Sequence, residues 1–282
     1  MENSIWHISP ALEQKIREQY VKAAPCLWKR MISEVQSGAH DNCFWLAGAS
    51  SYLISLDSVR FMVDPVLRIP EVWGACRENL SHDLCGLSFI LYTHDHRDHY
   101  QPEFDQALSD LSIVRVVPEY MVNLYVETGE TIYVKPGDKL CLADCWITVL
   151  PGVHKDSAGN GPEAVQYLVE KNGRSLYFPG DVRNPSLKLI PNIGVADCMF
   201  AHVFLGKSNA KNVPWPGWLE QFSAYIEATH AKKVFLGHLY EMTSESERLY
   251  TYMSAGAIMD VLAGLCPETD VAIPQIGRCY SL

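Results

Sequence analysis

The sequence predicts an α/β fold in which strands and helices pack as alternating layers. Three observations carry that prediction. Short apolar runs separated by turn residues recur from residue 43 to residue 237. Helical spacing of apolar residues frames them, near the amino terminus and again near the carboxyl terminus. Between the strand-like runs lie stretches of the length that crossover helices need, and strand–helix–strand repeats at this density argue for layers.

Taken in order, residues 10–35 carry apolar side chains at helical spacing (Ile16, Tyr20, Ala23, Leu27, Met31, Val35), with Pro10 suited to the first turn and Ser37-Gly38 ending the helix. Residues 43–56 and 59–67 read as strand, turn, strand, turn, strand. Residues 66–86 read as loop and short helix, and 87–92 as a buried strand. A helix over 100–110 follows, with Pro102 in its first turn, then a strand over 112–118 and a short helix over 119–128. Strands alternate up to residue 150, broken by Pro136-Gly137-Asp138. A hairpin turns at Lys171-Asn172-Gly173; strands over 196–203 and 233–237 come next, and an amphipathic helix over 244–265 is closed by Cys266-Pro267. A chain of 282 residues buries a sizeable core, and no linker or low-complexity segment divides it.

Composition narrows the function classes. The formal net charge of −10 argues against a nucleic-acid partner, because phosphate backbones are bound by basic surfaces. Nine cysteines, odd in number and scattered without a Cys-x-x-Cys pair, read as free thiols of a reducing cytoplasm. Neither a signal peptide nor a membrane span is visible, so a cytoplasmic location is expected.

The chemistry concentrates in Thr93-His94-Asp95-His96-Arg97-Asp98-His99, directly where the strand over 87–92 should end. In a tight turn, side chains two and three apart converge on one point. Imidazole and carboxylate together suit zinc, manganese or iron, and the lack of thiolate argues against a closed structural zinc site.

This stretch resembles the His-x-His-x-Asp-His motif of the metallo-β-lactamase-fold hydrolases. The resemblance implies a four-layer αβ/βα sandwich with a dinuclear metal site at one edge. It makes residues 1–40 an N-terminal helical extension and 41–282 the metallo-β-lactamase-like domain. The opening over 43–67 is similar to the branch that includes the ascorbate-6-phosphate lactonase and the N-acyl-ethanolamine phospholipases, although Leu46-Ala47-Gly48-Ala49 lacks that branch's histidine. Further motifs follow from the same resemblance. Asp64 is expected to orient the histidine loop without bonding metal; a turn-capping Asp is the alternative. His154 after Pro151-Gly152-Val153, Asp181 in Pro179-Gly180-Asp181 and His238 after Gly237 complete the pattern. His94, His96 and His154 would then hold one metal, Asp98, His99 and His238 the second, and Asp181 would bridge them. His202, near the end of an apolar strand, is a proton donor, a substrate contact, a spare ligand or a satisfied core histidine. Leu239-Tyr240-Glu241 departs from the His-Tyr-Gly expected of a close lactonase relative.

The implied reaction is hydrolysis of a small, anionic ester, lactone or phosphodiester. Two divalent cations (zinc first, manganese or iron as alternatives) would lower the pKa of a shared water and stabilise developing charge, with Asp98, Asp181 and His202 as catalytic candidates. A metal-dependent nuclease and a non-catalytic metal-binding relative are the alternatives. A flavodiiron-type redox role does not fit, since that group has Glu where this chain has His96. Lys155 and Asp156 are expected to face the substrate, and Val182-Arg183-Asn184 to lie at the site edge. Residues 157–162 are expected as a rim loop, and 206–218, with Lys207, Lys211, Trp215 and Trp218, as a lid or an ordinary surface loop. The N-terminal helix is expected on the outside of the core; a contact within a homo-oligomer or a wall of the substrate pocket are its other readings.

Overall fold

The computed structural model describes residues 9–155, 159, 161–205, 217–240 and 250–282. Helix α1 (Pro10–Ser37) starts where the Ser9 hydroxyl accepts the Leu12 N–H at 3.2 Å, and it stops at Gly38, whose φ of +66° suits the left-handed cap. Strands β1 (Cys43–Leu46), β2 (Tyr52–Leu56) and β3 (Val59–Val63) form a meander. Helices α2 (Pro70–Cys76) and α3 (Leu80–Asp83) lead to β4 (Phe89–Leu91). Helix α4 (Pro102–Gln106) then crosses to β5 (Val114–Pro118), and β6 (Thr131–Val134) follows. Strands β7 (Lys139–Leu142), β8 (Cys145–Pro151), β9 (Val165–Lys171), β10 (Arg174–Phe178) and β11 (Cys198–His202) open the second half. Helix α5 (Trp218–Glu227), strand β12 (Lys233–Gly237), helix α6 (Tyr252–Leu265) and strands β13 (Asp270–Ala272) and β14 (Cys279–Ser281) complete it.

Two seven-stranded mixed sheets result, ordered β14-β1-β2-β3-β4-β5-β6 and β13-β12-β11-β10-β9-β8-β7. They pack face to face through Phe44, Ile54, Phe61 and Phe89 on one side and Ile147, Tyr167, Phe178, Phe200 and Phe235 on the other. The outer face of the first sheet, with Leu53, Met62 and Ile90, carries α1, α2 and α4. The outer face of the second, with Met199, Val234 and Leu236, carries α5 and α6. Helix, sheet, sheet, helix is the four-layer sandwich. The sequence reads as short continuous apolar runs because successive residues of β2 and β4 point into different cores and both are dry.

Several local expectations are revised. The helix over 100–110 contracts to α4 with turns after it, and residues 119–128 hold only a 3₁₀ turn over Glu119–Met121. The last helix begins at Tyr252, capped by the Thr251 hydroxyl, and the strand over 112–118 begins at Val114. Strands β13 and β14, which lack a strong apolar signal, close one edge of each sheet. All nine cysteines are free, and no described helix is long and apolar enough to cross a membrane.

Helix α1 buries the last two residues of the stripe its spacing suggests, Met31 and Val35, and departs from that stripe before them. Ala24, Trp28, Met31, Ile32 and Val35 enter the core, while Ile16, Tyr20 and Leu27 are only half buried. Trp28 also donates from Nε1 to Asp83 Oδ2 at 2.6 Å. Its removal should therefore be costly. Trp28→Ala is expected to lower unfolding stability by about 3–5 kcal/mol in a denaturant titration; a loss below about 1 kcal/mol would mean that α1 is not part of the cooperative core.

Candidate metal centre

Both sheets present the carboxyl ends of parallel strands to the same crevice, the position where open α/β sheets bind ligands. In the first sheet β3 and β4 run parallel, with Val63 paired to Leu91, so Asp64 and Thr93-His94 emerge side by side. In the second, β10, β11 and β12 run parallel, and they deliver Asp181, His202 and His238 to one edge. The end of β8 adds His154. The seven ligand candidates of the sequence form two clusters: His94, His96, His154 and Asp181, and Asp98, His99 and His238. His202 forms a third group with His99 and Asp181.

The first cluster is tight. His154 Nε2 stands 3.1 Å from His94 Nε2 and 3.2 Å from His96 Nδ1. Two imidazole nitrogens on one tetrahedral zinc, each bonded at about 2.0–2.1 Å, would stand about 3.3 Å apart. The donor set therefore fits a divalent metal. Burial pushes the basicity of His94, His96 and His154 down, His154 to about 4, so these rings stand neutral with lone pairs to offer.

Asp181 joins the clusters. Its Oδ2 lies 3.7 Å from His154 Nε2 and 3.9 Å from His94 Nε2. Its Oδ1 lies 3.3 Å from His99 Nε2, 3.9 Å from His238 Nε2 and 3.0 Å from His202 Nδ1. One oxygen faces each histidine set. Burial alone would raise the Asp181 carboxyl, but His238, His99 and His202 together hold it well below the usual range. Asp98 receives His238 Nε2 at 3.1 Å; burial works against its charge, and His238 outweighs burial. Burial pushes His99 and His238 down as well, and the surrounding carboxylates reverse it in both. For His202 burial prevails over the Asp181 contact.

Beneath the histidines lies Asp64, fully buried. It accepts the Thr93 N–H at 2.7 Å, the Thr93 hydroxyl at 2.6 Å and the His99 Nδ1–H at 2.8 Å. With its proton committed to Asp64, Thr93 Oγ1 is left to accept from His94 Nδ1 at 3.0 Å. Both rings are thereby turned so that Nε2 faces the crevice, and His99 Nε2 is buried there without a hydrogen-bonding partner. Thr93 escaped the sequence reading, although a hydroxyl residue directly before the motif was its signal.

Other supports were also illegible. The Ser50 hydroxyl donates to the Asp98 carbonyl, and the His238 N–H donates to the Ala49 carbonyl at 2.8 Å. Asp64, His238 and Tyr240 adopt φ of +47°, +62° and +55°, a region where side-chain-bearing residues are uncommon and strain collects at functional sites. Gly180, at φ +60°, packs so closely on Thr93 that an added Cβ would stand 3.2 Å from it. Lys155 pairs with Glu163, and the Arg183 guanidinium sits 5.5 Å from the Phe204 ring centre. Asp156, residues 157, 158 and 160 of the expected rim loop, the 206–216 part of the expected lid, Glu241 and the 244–249 start of the expected last helix lie outside the described residues.

Comparison with known proteins agrees with this geometry. A β-lactamase superfamily domain matches residues 44–212. The chain belongs to the metallo-β-lactamase superfamily. Solved structures share its fold at low identity. A metallo hydrolase from the hyperthermophilic archaeon Ignicoccus hospitalis is 17% identical over 84% of this chain and 97% of its own, with a TM-score of 0.60. An isothiocyanate hydrolase from Delia radicum gut bacteria is 14% identical over 85% of this chain and 98% of its own, with a TM-score of 0.60. A diiron β-hydroxylase from Streptomyces venezuelae is 17% identical over 86% of this chain and 54% of its own, also at 0.60. A search of curated proteins returns no match.

The Asp64–Thr93 contact yields a test independent of metal. Thr93→Val keeps the shape but removes a hydrogen bond to a buried carboxylate, so the metal-free protein should lose about 1.5–3 kcal/mol in denaturant titration. Wild-type stability in that variant would refute the network.

Proposed function

We propose that the protein is a hydrolase using two divalent transition metals. His94, His96 and His154 hold one, Asp98, His99 and His238 the other, and Asp181 is shared between them. The observation that carries this reading is the placement of the two Asp181 oxygens, one against each histidine set. A lone structural site would have no use for a second set. Nitrogen-rich donors without thiolate favour zinc, with manganese or iron as alternatives. Bound there, two cations supply a water of lowered pKa and a positive field for charge developing on an attacked carbonyl or phosphoryl centre.

The chain's own groups divide the remaining work. Asp64 and Thr93 fix the faces that His99 and His94 present. Asp98 borders both the cluster and the adjoining cavity, which supports a role in taking a proton from the nucleophile. His202, held by Asp181 and stacked on Tyr52 with ring centres 5.8 Å apart, is the proton donor to the leaving group. The substrate is a small anionic ester, lactone or phosphodiester acted on in a soluble, cytoplasmic setting. The net charge of −10 counts against a nuclease. The hydrolases among the structural neighbours support the reaction class.

Protein purified without chelators should contain about two transition-metal ions per chain by elemental analysis. None, with no uptake of zinc, manganese or iron, would exclude this reading. Asp181→Ala should reduce metal content and abolish hydrolysis across a panel of lactones, esters and phosphodiesters. Asp64→Ala should weaken metal affinity by only about 10–100-fold. The reverse ranking would remove Asp181 from the bridge. His202→Ala should lower kcat with both metals retained, whereas loss of metal would make His202 a ligand.

A further inference from the structure

A large cavity among the described residues lies beside the candidate metal centre. It encloses about 810 Å³, within the range of small-molecule sites, and it meets the histidine cluster at Asp98. Gly48 and Ala49 line it beside Asp98. A Cβ at Gly48 would stand 3.0 Å from the Val66 carbonyl.

Its walls come largely from outside the segment that matches the superfamily. Ile16, Tyr20 and Leu27 of α1 form one side, and Ile276 from the approach to β14 forms another. The α1 residues recur four and seven apart, on one helical face, and that face looks into the cavity while Ala24, Trp28, Met31 and Val35 fill the core. The stripe read from the sequence thus runs from the cavity wall at Ile16 into the core at Met31 and Val35. Tyr20 packs against the core cluster as well as lining the cavity, and the half-buried Ile16 and Leu27 give that wall an apolar surface suited to an apolar ligand.

The charges on the walls do not balance. Arg30 and Glu34 lie 3.9 Å apart, with Arg30 also donating to the Gly277 carbonyl and Glu34 accepting from Trp45 Nε1. Arg68 is half buried and has neither hydrogen bond nor ion pair among the described residues. The Arg278 guanidinium, exposed at the rim, lies over the Tyr280 ring, 5.7 Å from its centre, with no carboxylate partner among the described residues. Two guanidinium groups lining one cavity without carboxylate partners among the described residues, on a chain of net charge −10, suit an anion.

Resting on the hydrolase reading above, we infer that this cavity binds the substrate and that the substrate is an amphiphilic anion. Its carboxylate or phosphate head is held by Arg68 with Arg278, its apolar body lies along Ile16, Tyr20 and Leu27, and its scissile bond reaches the metals past Asp98. Specificity is then set by α1 and the chain's last strand.

Calorimetric titration of the metal-loaded full chain tests this without reference to turnover. The probes are straight-chain carboxylates, straight-chain alkyl phosphates and the matching alcohols, two to ten carbons long. Affinity for the anions should rise roughly fourfold per methylene over the middle of the series, and alcohols should bind at least about tenfold more weakly. The head whose series is the tighter identifies the substrate anion. Arg68→Met should weaken the anions about tenfold and leave the alcohols unchanged; Arg278→Met, at an exposed position, should do so more mildly. Leu27→Trp should reject long chains and still admit short ones. Metal content and melting temperature should match wild type in all three variants. Affinity independent of chain length, equal binding of anions and alcohols, or anion binding indifferent to both arginine variants would overturn the inference. Probe binding as expected with no hydrolysis of any ester or phosphodiester would instead remove the hydrolase reading and leave the binding site standing.

Discussion

The centre depends on one buried carboxylate. Asp64 sits at the end of β3 in a left-handed conformation, and it ties three donors from the neighbouring strand end and loop. A charge enclosed without partners would cost several kcal/mol, so the fold tolerates Asp64 only with Thr93 and His99 in place. The same bonds decide which nitrogen of His99 and, through Thr93, of His94 faces the crevice. Stability and site geometry are therefore one constraint. A change that loosens the Thr93 loop exposes an unsatisfied carboxylate and misdirects two imidazoles together.

The second sheet answers from across the crevice. Its parallel strands end in Asp181, His202 and His238, and the antiparallel β8 ends near His154. Neither half makes a complete ligand set. His94 and His96 need His154, and Asp98 and His99 need His238. The face-to-face packing of Phe44, Phe61 and Phe89 against Phe178, Phe200 and Phe235, with hydrogen bonds from Val165 to Thr93 and from His238 to Ala49, fixes the distance between the halves. The electrostatics divide in the same way. Three rings are kept neutral by burial, while His99 and His238 are held up by the carboxylates between them.

Much of this was legible because the chemistry is written at strand ends. An apolar run followed by His-x-His-x-Asp-His marks a turn that gathers ligands, and Gly-Asp and Gly-His after later runs mark partners for it. Asp64 was legible by its place after a strand. What was hidden depends on tertiary packing. Thr93 looks like a strand residue until its hydroxyl is seen between Asp64 and His94. The stripe of Ile16, Tyr20 and Leu27 obeys helical periodicity, yet periodicity reports only that a face avoids water, not whether protein or a cavity covers it. Strand β14 was invisible because Cys279, Tyr280 and Ser281 gain strand character only by pairing with β1.

The strained backbone near the last ligand connects the centre to the cavity. His238 and Tyr240 both hold positive φ, and two side-chain-bearing residues in that region within three positions cost roughly 1–3 kcal/mol each. Two contacts offset this. The His238 N–H bonds the carbonyl of Ala49, a residue of the cavity wall, and the Tyr240 N–H bonds the Tyr250 carbonyl at 2.9 Å. The turn aims His238 at Asp98 and, two residues later, aims Tyr240 into the cavity wall beside Tyr252, their ring centres 5.0 Å apart. An ordinary extended continuation of β12 would turn residues two apart, 238 and 240, to the same face of the sheet and would not send one to the cluster and the other to the cavity wall. The strain is thus the means by which one short segment serves the histidine cluster and the cavity at once.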